Sequence, residues 1–126
     1  MERSEEECRS YLETILWGQT PQCPYCQSIN STPITKERRY HCNTCFNAYS
    51  VTVGTLFHGT HIPLAKWFKV IALILDENPH ISVRKLAEAI DVNKNTSSTL
   101  IRRIQRARLT DELILRAIAN YMRSTD

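Results

Sequence analysis

The chain has 126 residues, with 16 Lys/Arg against 13 Asp/Glu for a formal net charge of +3, and 42% of its residues are hydrophobic. That composition excludes a disordered chain, and the length permits one ordinary domain or two very small ones that need a staple. No apolar run approaches the roughly 18 residues of a membrane span, and MERSEEECRS places acids where a secretory signal carries a basic patch and an apolar stretch. A reducing cytoplasmic setting is expected, in which paired cysteines need an explanation other than disulfides.

Ser4 and Glu7 have the spacing of a capping box, and Cys8, Tyr11, Leu12, Ile15 and Leu16 recur at helical spacing up to Gly18. They predict a short amphipathic helix. From Pro21 to about Phe57 the helical period is lost, and β-prone pieces at Thr35, Arg39–His41 and Ala48–Val53 alternate with polar turns. Gly54 is expected to take an unusual backbone angle where this module ends, with Leu56 and Phe57 packing on Trp67 or Phe68. Pro63 suits a first helical turn, and Leu64, Trp67, Phe68, Ile71, Ala72 and Leu75 form an apolar stripe that should end near Asn78-Pro79. Ser82 can cap a following helix whose Val83, Leu86, Ala87 and Ile90 face inward. Asp91-Val92-Asn93 reads as a three-residue turn before a helix from about Lys94 to Arg108, with Ser97, Leu100, Ile101 and Ile104 on its inner side. Thr110-Asp111-Glu112 reads as the start of a last helix.

Within the irregular stretch, CPYC at 23–26 and CNTC at 42–45 form two Cys-x2-Cys pairs separated by fifteen residues, within the range of a four-cysteine zinc site. Each two-residue gap makes a tight knuckle that presents two thiolates, and two knuckles complete a tetrahedron. Cys23, Cys26, Cys42 and Cys45 are the expected ligands of one structural Zn2+. Four thiolates leave no open position for a reacting water, so the ion would stabilise a segment short of apolar core. Paired redox sites are the alternative, although those belong beside a βαβ pattern that this region lacks. Gln27 and Phe46 stand where such knuckles often carry glycine, which predicts local strain. Cys8 reads as a small buried hydrophobe, and His41, His58, His61 and His80 as ordinary surface or packing histidines, with His41 also adjacent to the metal's outer shell.

Charge is unevenly spread. Residues 1–63 hold five Lys/Arg against six Asp/Glu, and residues 64–126 hold eleven against seven. Within 84–108, seven basic residues (Arg84, Lys85, Lys94, Arg102, Arg103, Arg106, Arg108) face two acids, Glu88 and Asp91. A polyanion is the natural partner of such a segment, and a solvated helix face is the plain alternative. The two helices and turn over 82–108 have the size and order of a helix-turn-helix, without the usual turn glycine; a three-helix packing unit is the competing reading. As a helix-turn-helix, Asn95, Thr96, Ser98 and Thr99 are candidate readers of base edges, with Lys94 a groove or phosphate contact. Arg102, Arg103 and Arg106 would hold the phosphate backbone and make binding salt-dependent.

The order of SEEECRSYLETILWG, CPYC, YHCNTC, YSVTVGTLFHGTHIPLAKWF and ISVRKLAEAIDVNKNTSSTLIRRI resembles the N-terminal region of DDE-type insertion-sequence transposases that begin with a zinc ribbon. The resemblance spans about residues 4–108 and includes the aromatic-Ser-x3-Gly-Thr-x-Phe run at Tyr49–Phe57 and Pro-Leu-x2-Trp at Pro63–Trp67. It implies a ribbon and helix-turn-helix that hold transposon ends, followed in such transposases by an RNase H-like catalytic domain. Because the sequence stops at Asp126 and its later acids read as helix-end and surface residues, no catalysis is expected.

The expected fold is α+β and mostly α, a small four-cysteine zinc ribbon packed beside a helix-turn-helix bundle. Residues 1–20 are expected to form a helix lying on the ribbon, 21–60 the ribbon, and 61–126 the helical domain. The expected function is a zinc-stabilised, nucleoid-associated DNA-binding protein, a truncated, accessory or domesticated relative of a transposase. Its expected partner is double-stranded DNA, with transposon ends, a second copy or a separate catalytic subunit as further partners and no membrane. A zinc-dependent protein-protein interaction module is the alternative.

Overall fold

The computed structural model describes residues 3–59 and 61–123. It is mostly helical with one small sheet, the expected class. The chain divides into two compact units, Arg9–Thr60 and Met1–Cys8 with His61–Asp126. The first helix, α1, spans Glu5–Trp17, so the division falls after Cys8, inside the helix that the sequence alone sets apart as residues 1–20.

α1 starts where the capping box puts it. The Glu7 amide donates to Ser4 Oγ at 3.1 Å, and the Ser4 amide donates to Glu7 Oε1 at 2.9 Å. The Ser4 amide, with the Ser4 hydroxyl, holds the Glu7 carboxyl below its ordinary pKa. The helix stops before Gly18, whose φ of +70° reverses the chain at little steric cost.

In the ribbon unit, β1 (Ser31–Ile34), β2 (Arg39–Cys42) and β3 (Ala48–Tyr49) form an antiparallel sheet in the order β1-β2-β3. The register pairs Ser31 with Cys42, Thr32 with His41 and Pro33 with Tyr40, and then Tyr40 with Tyr49 and His41 with Ala48. Alternation therefore places Pro33, Tyr40 and Tyr49 on one face and Thr32, His41 and Ala48 on the other. Trp17 meets the first face edge-on, its ring centroid 5.6 Å from Tyr40 and 5.7 Å from Tyr49, while Tyr40 and Tyr49 stack at 5.8 Å. The β-prone stretch expected to run to Val53 pairs only at Ala48–Tyr49. Beyond it, the Ser50 and Thr52 hydroxyls bond each other and Thr55 Oγ1 donates to the Thr52 carbonyl, giving the backbone turns instead of a ladder. Thr35 likewise lies in the β1–β2 turn.

In the helical unit, α2 (Leu64–Ala72) continues as a π-helical turn, Leu73–Glu77, closed by the Asn78 amide donating to the Leu73 carbonyl at 2.8 Å. The helix leaves at Asn78 because Pro79 follows. Pro63 offers no side-chain cap, and the carboxylate of Glu5 takes that role. Its Oε2 accepts from the Leu64 amide at 2.8 Å and its Oε1 from the Ala65 amide at 2.9 Å.

α3 (Val83–Ile90) packs on α4 (Lys94–Thr110), and α2 packs on α5 (Glu112–Arg123). Trp67, Phe68, Ile71, Ile74, Leu86, Leu100, Ile104, Leu115 and Ile118 form a buried apolar core with the stripe expected on α2 at its centre. Asp76, in the π turn, pairs with Arg116 at 3.0 Å and Arg123 at 3.3 Å, two α5 cations seven residues apart and so on one face.

Candidate metal centre and nucleic-acid interface

The two cysteine pairs fold into near-identical knuckles. In the first, the Gln27 amide donates to the Cys23 carbonyl at 2.8 Å and the Cys23 amide to the Ser28 carbonyl at 2.9 Å. In the second, Phe46 donates to Cys42 at 2.9 Å and Cys42 to Asn47 at 2.9 Å. Each knuckle reverses through a left-handed residue, Gln27 at φ +64° and Phe46 at φ +66°, the positions where glycine is absent. Ser28 Oγ and Thr44 Oγ1, 2.8 Å apart, connect the two loops.

This local folding brings Cys23, Cys26, Cys42 and Cys45 together with all four sulfurs within 4.8 Å of one another. Cys23 and Cys45 Sγ are 3.6 Å apart, and Cys26 and Cys42 Sγ 3.5 Å. A zinc–sulfur bond of about 2.3 Å requires tetrahedral edges of about 3.8 Å, so the donor set fits Zn2+. Amides already face the sulfurs: Tyr25 N–H points at Cys23 Sγ, Cys45 N–H at Cys42 Sγ, and the Asn47 side-chain amide at Cys45 Sγ, each at 3.4 Å. Such donors stabilise thiolates.

The charges require a cation. The Cys45 amide holds the Cys42 thiol down at about 6. The Ser28 amide also favours a Cys26 thiolate, yet burial and the neighbouring sulfurs of Cys42, Cys45 and Cys23 push the Cys26 thiol up to about 12. Cys42 ionises readily while Cys26 resists, so a divalent ion is what lets both carry charge together. Cys23 and Cys42 are fully buried and back onto Tyr49, with Trp17, Tyr40 and Val53 packed around them. Burial raises the Tyr40 phenol and Glu13 raises it further, keeping it a donor to Glu13 Oε1 at 3.2 Å. Cys8 is buried outside this cluster, as its helical position predicts.

In the helical unit, the turn expected at Asp91–Asn93 joins α3 to α4. Ser82 accepts from the Lys85 amide at 3.1 Å, as its place before α3 suggests. Asp91 takes the left-handed angle, φ +56°, that glycine commonly supplies in such turns. Asn93 caps α4 by accepting from the Thr96 amide at 2.7 Å, a role the sequence analysis missed although asparagine before a periodic stretch is its signature. Ser97, Leu100 and Ile104 are fully buried and Ile101 half-buried; Ser97 Oγ donates to the Val83 carbonyl at 2.8 Å and so ties α4 to α3.

The other side of α4 carries the remaining residues singled out in the sequence. Lys94, Asn95, Arg102 and Arg106 are exposed, whereas Thr96, Ser98, Thr99 and Arg103 are half-buried. Thr99 Oγ1 donates back to the Asn95 carbonyl at 3.1 Å. Lys94, Asn95, Arg102 and Arg106 are therefore the side chains most available to a ligand along this face.

Fold and site together define a zinc-ribbon protein with a separate helical unit. Residues 3–47 match the family model described as the transposase zinc-ribbon domain, to which the metal module is therefore similar. Over 106 residues the chain is 30% identical to an uncharacterized protein in transposable element ISH50 of Halobacterium salinarum, covering 82% of this chain and 34% of that protein. The chain thus spans about a third of that relative's length. No solved structure matches it.

Proposed function

We propose that the chain is the DNA-recognition part of a transposition protein, binding duplex DNA through α4 and acting by recognition without strand cleavage. The observation that carries this reading is the exposed polar and cationic face of α4, opened by a capped N-terminus and held at a fixed angle to α3 by Ser97. Lys94 and Asn95 with Thr96, Ser98 and Thr99 would enter the major groove, and Arg102, Arg103 and Arg106 would grip phosphates. The transposase-type ribbon and the relative in a transposable element support transposon ends as the DNA. Of the acids after the ribbon, Asp76 pairs with Arg116 and Arg123 on α5 and Asp91 ends α3. Among the described residues, no helix is long and apolar enough to cross a membrane.

The test is a salt titration of duplex binding by the zinc-loaded chain and by Arg102→Ala/Arg106→Ala. Removing two phosphate contacts should weaken binding and lower the slope of log affinity against log salt by about 1.8. Unchanged affinity and slope would refute this placement of the DNA face. The competing reading, a protein-interaction module, draws on Leu109 and Leu113, which are 87% and 86% exposed near the α4–α5 junction. That reading predicts a silent double variant and a loss of partner binding on Leu109→Glu.

A further inference from the structure

We infer that the ribbon carries a second nucleic-acid contact, in which the Phe46 ring stacks on an unpaired base of single-stranded DNA. This inference does not rest on the placement of α4.

Phe46 occupies a left-handed backbone position, φ +66°, that costs a side-chain-bearing residue about 1–2 kcal/mol relative to glycine. Its ring is nonetheless 74% exposed, so the core does not use it. Gln27, at the equivalent place in the first knuckle, differs. Its side-chain amide donates to the Pro24 carbonyl at 3.3 Å and helps to close its own turn, a contact a phenyl ring cannot make. The second knuckle thus holds a large flat apolar group at a strained position, in ring contact with His41 but mostly open to solvent, which is the pattern of a residue available to a ligand.

The surroundings identify the ligand's chemistry. The His41 ring lies 6.3 Å from the Phe46 ring, centroid to centroid, on the sheet face that also bears Thr32 and Ala48. Arg39, two residues before His41 on β2, shares that face and pairs with Glu37 of the β1–β2 turn, a turn whose other charged residues are the exposed cations Lys36 and Arg38. The unit Arg9–Thr60 holds four Lys/Arg against two Asp/Glu, because the glutamates Glu5, Glu6 and Glu7 that make residues 1–63 look acidic belong to the other unit. An exposed aromatic beside an imidazole, at one end of a strand whose other end leads into a turn with a net positive charge, suits a chain of flat rings joined by phosphates. The π-face of a base is open to such a ring only when the base is unpaired, so single-stranded DNA is the fitting occupant.

The experiment measures fluorescence anisotropy of a labelled oligothymidine of about 15 nucleotides, within the span of small single-strand sites, against the zinc-loaded full chain. A duplex of the same length is measured in parallel. Phe46→Gly relieves the backbone strain and should keep the zinc site, yet lose single-strand affinity by about tenfold or more, with duplex affinity unchanged. Phe46→Leu, bulky without a ring, should repeat the loss, and Phe46→Trp should restore binding. Gln27→Gly should bind as the parent does. Arg102→Ala/Arg106→Ala should keep single-strand binding even where it loses duplex binding, which separates the two contacts. The inference is overturned if the parent does not bind the oligothymidine, if Phe46→Gly and Phe46→Leu bind it as the parent does, or if they lose duplex and single strand equally.

Discussion

In the ribbon unit the buried set is small: Leu12, Tyr49, Val51, Phe57 and two metal-binding cysteines, Cys23 and Cys42. In the helical unit Trp67, Phe68, Ile71, Ile74, Leu86, Leu100, Ile104, Leu115 and Ile118 all lie within one core. The ribbon has three short strands, the last of two residues, and a sheet that small is not stable by itself. The comparison teaches that one chain can use two currents of stabilisation, a metal where turns dominate and apolar area where helices do. It also explains the charge pattern around the cysteines, since sulfur-facing amides are already in place for the bound ion.

The largest expected effect breaks the ribbon alone. Cys42→Ser, or chelation, removes a metal whose binding to comparable peptides is worth about 10–16 kcal/mol at pH 7. Amide NMR signals of residues 21–53 should collapse while the helical unit keeps its circular dichroism; a folded, metal-free ribbon would show that the aromatic cluster suffices. Acid should do the same by protonating thiolates. Cys42 is lowered from 9.0 to about 6, so its contribution is present above its unfolded value and is lost as pH falls through about 6. Zinc release followed by a chromogenic chelator should rise as pH falls, because protons compete with the ion for the thiolates.

A medium effect should appear on the other side of the comparison. Leu100→Ala removes a fully buried side chain where α4 meets the core and should cost about 2–5 kcal/mol in denaturant unfolding, leaving zinc affinity unchanged. A parallel loss of zinc affinity would show that the two stabilities are coupled. The smallest effect should be a gain: Gln27→Gly relieves the left-handed angle of the first knuckle and should stabilise the zinc-loaded ribbon by about 0.5–1 kcal/mol, less whatever the amide bond to Pro24 contributes.

Much of this architecture was legible because it is local. Two Cys-x2-Cys pairs close their own knuckles through bonds four and five residues apart, so spacing alone identified the ligands. The Ser4–Glu7 box, the Ser82 cap, the stop at Gly18 and the exit at Asn78-Pro79 are likewise decided within a few residues. The reach of β3 was overread because the hydroxyls of Ser50, Thr52 and Thr55 offered the backbone competing partners that β propensity does not weigh.

The sequence by itself determined the zinc ligand set, the order of the helices and the inner face of α4, since each depends on short-range geometry or on a 3.6-residue period. Only the tertiary structure decided that Glu5 caps α2 across 59 residues, that Asp76 joins Arg116 and Arg123, and that Ser97 is satisfied by the Val83 carbonyl. It also decided that the Phe46 ring, apolar and strained, faces solvent beside His41. Those outcomes depend on which distant segments meet once the chain is packed, and the energy of each meeting is set by burial and direction, quantities that no local pattern of residues carries.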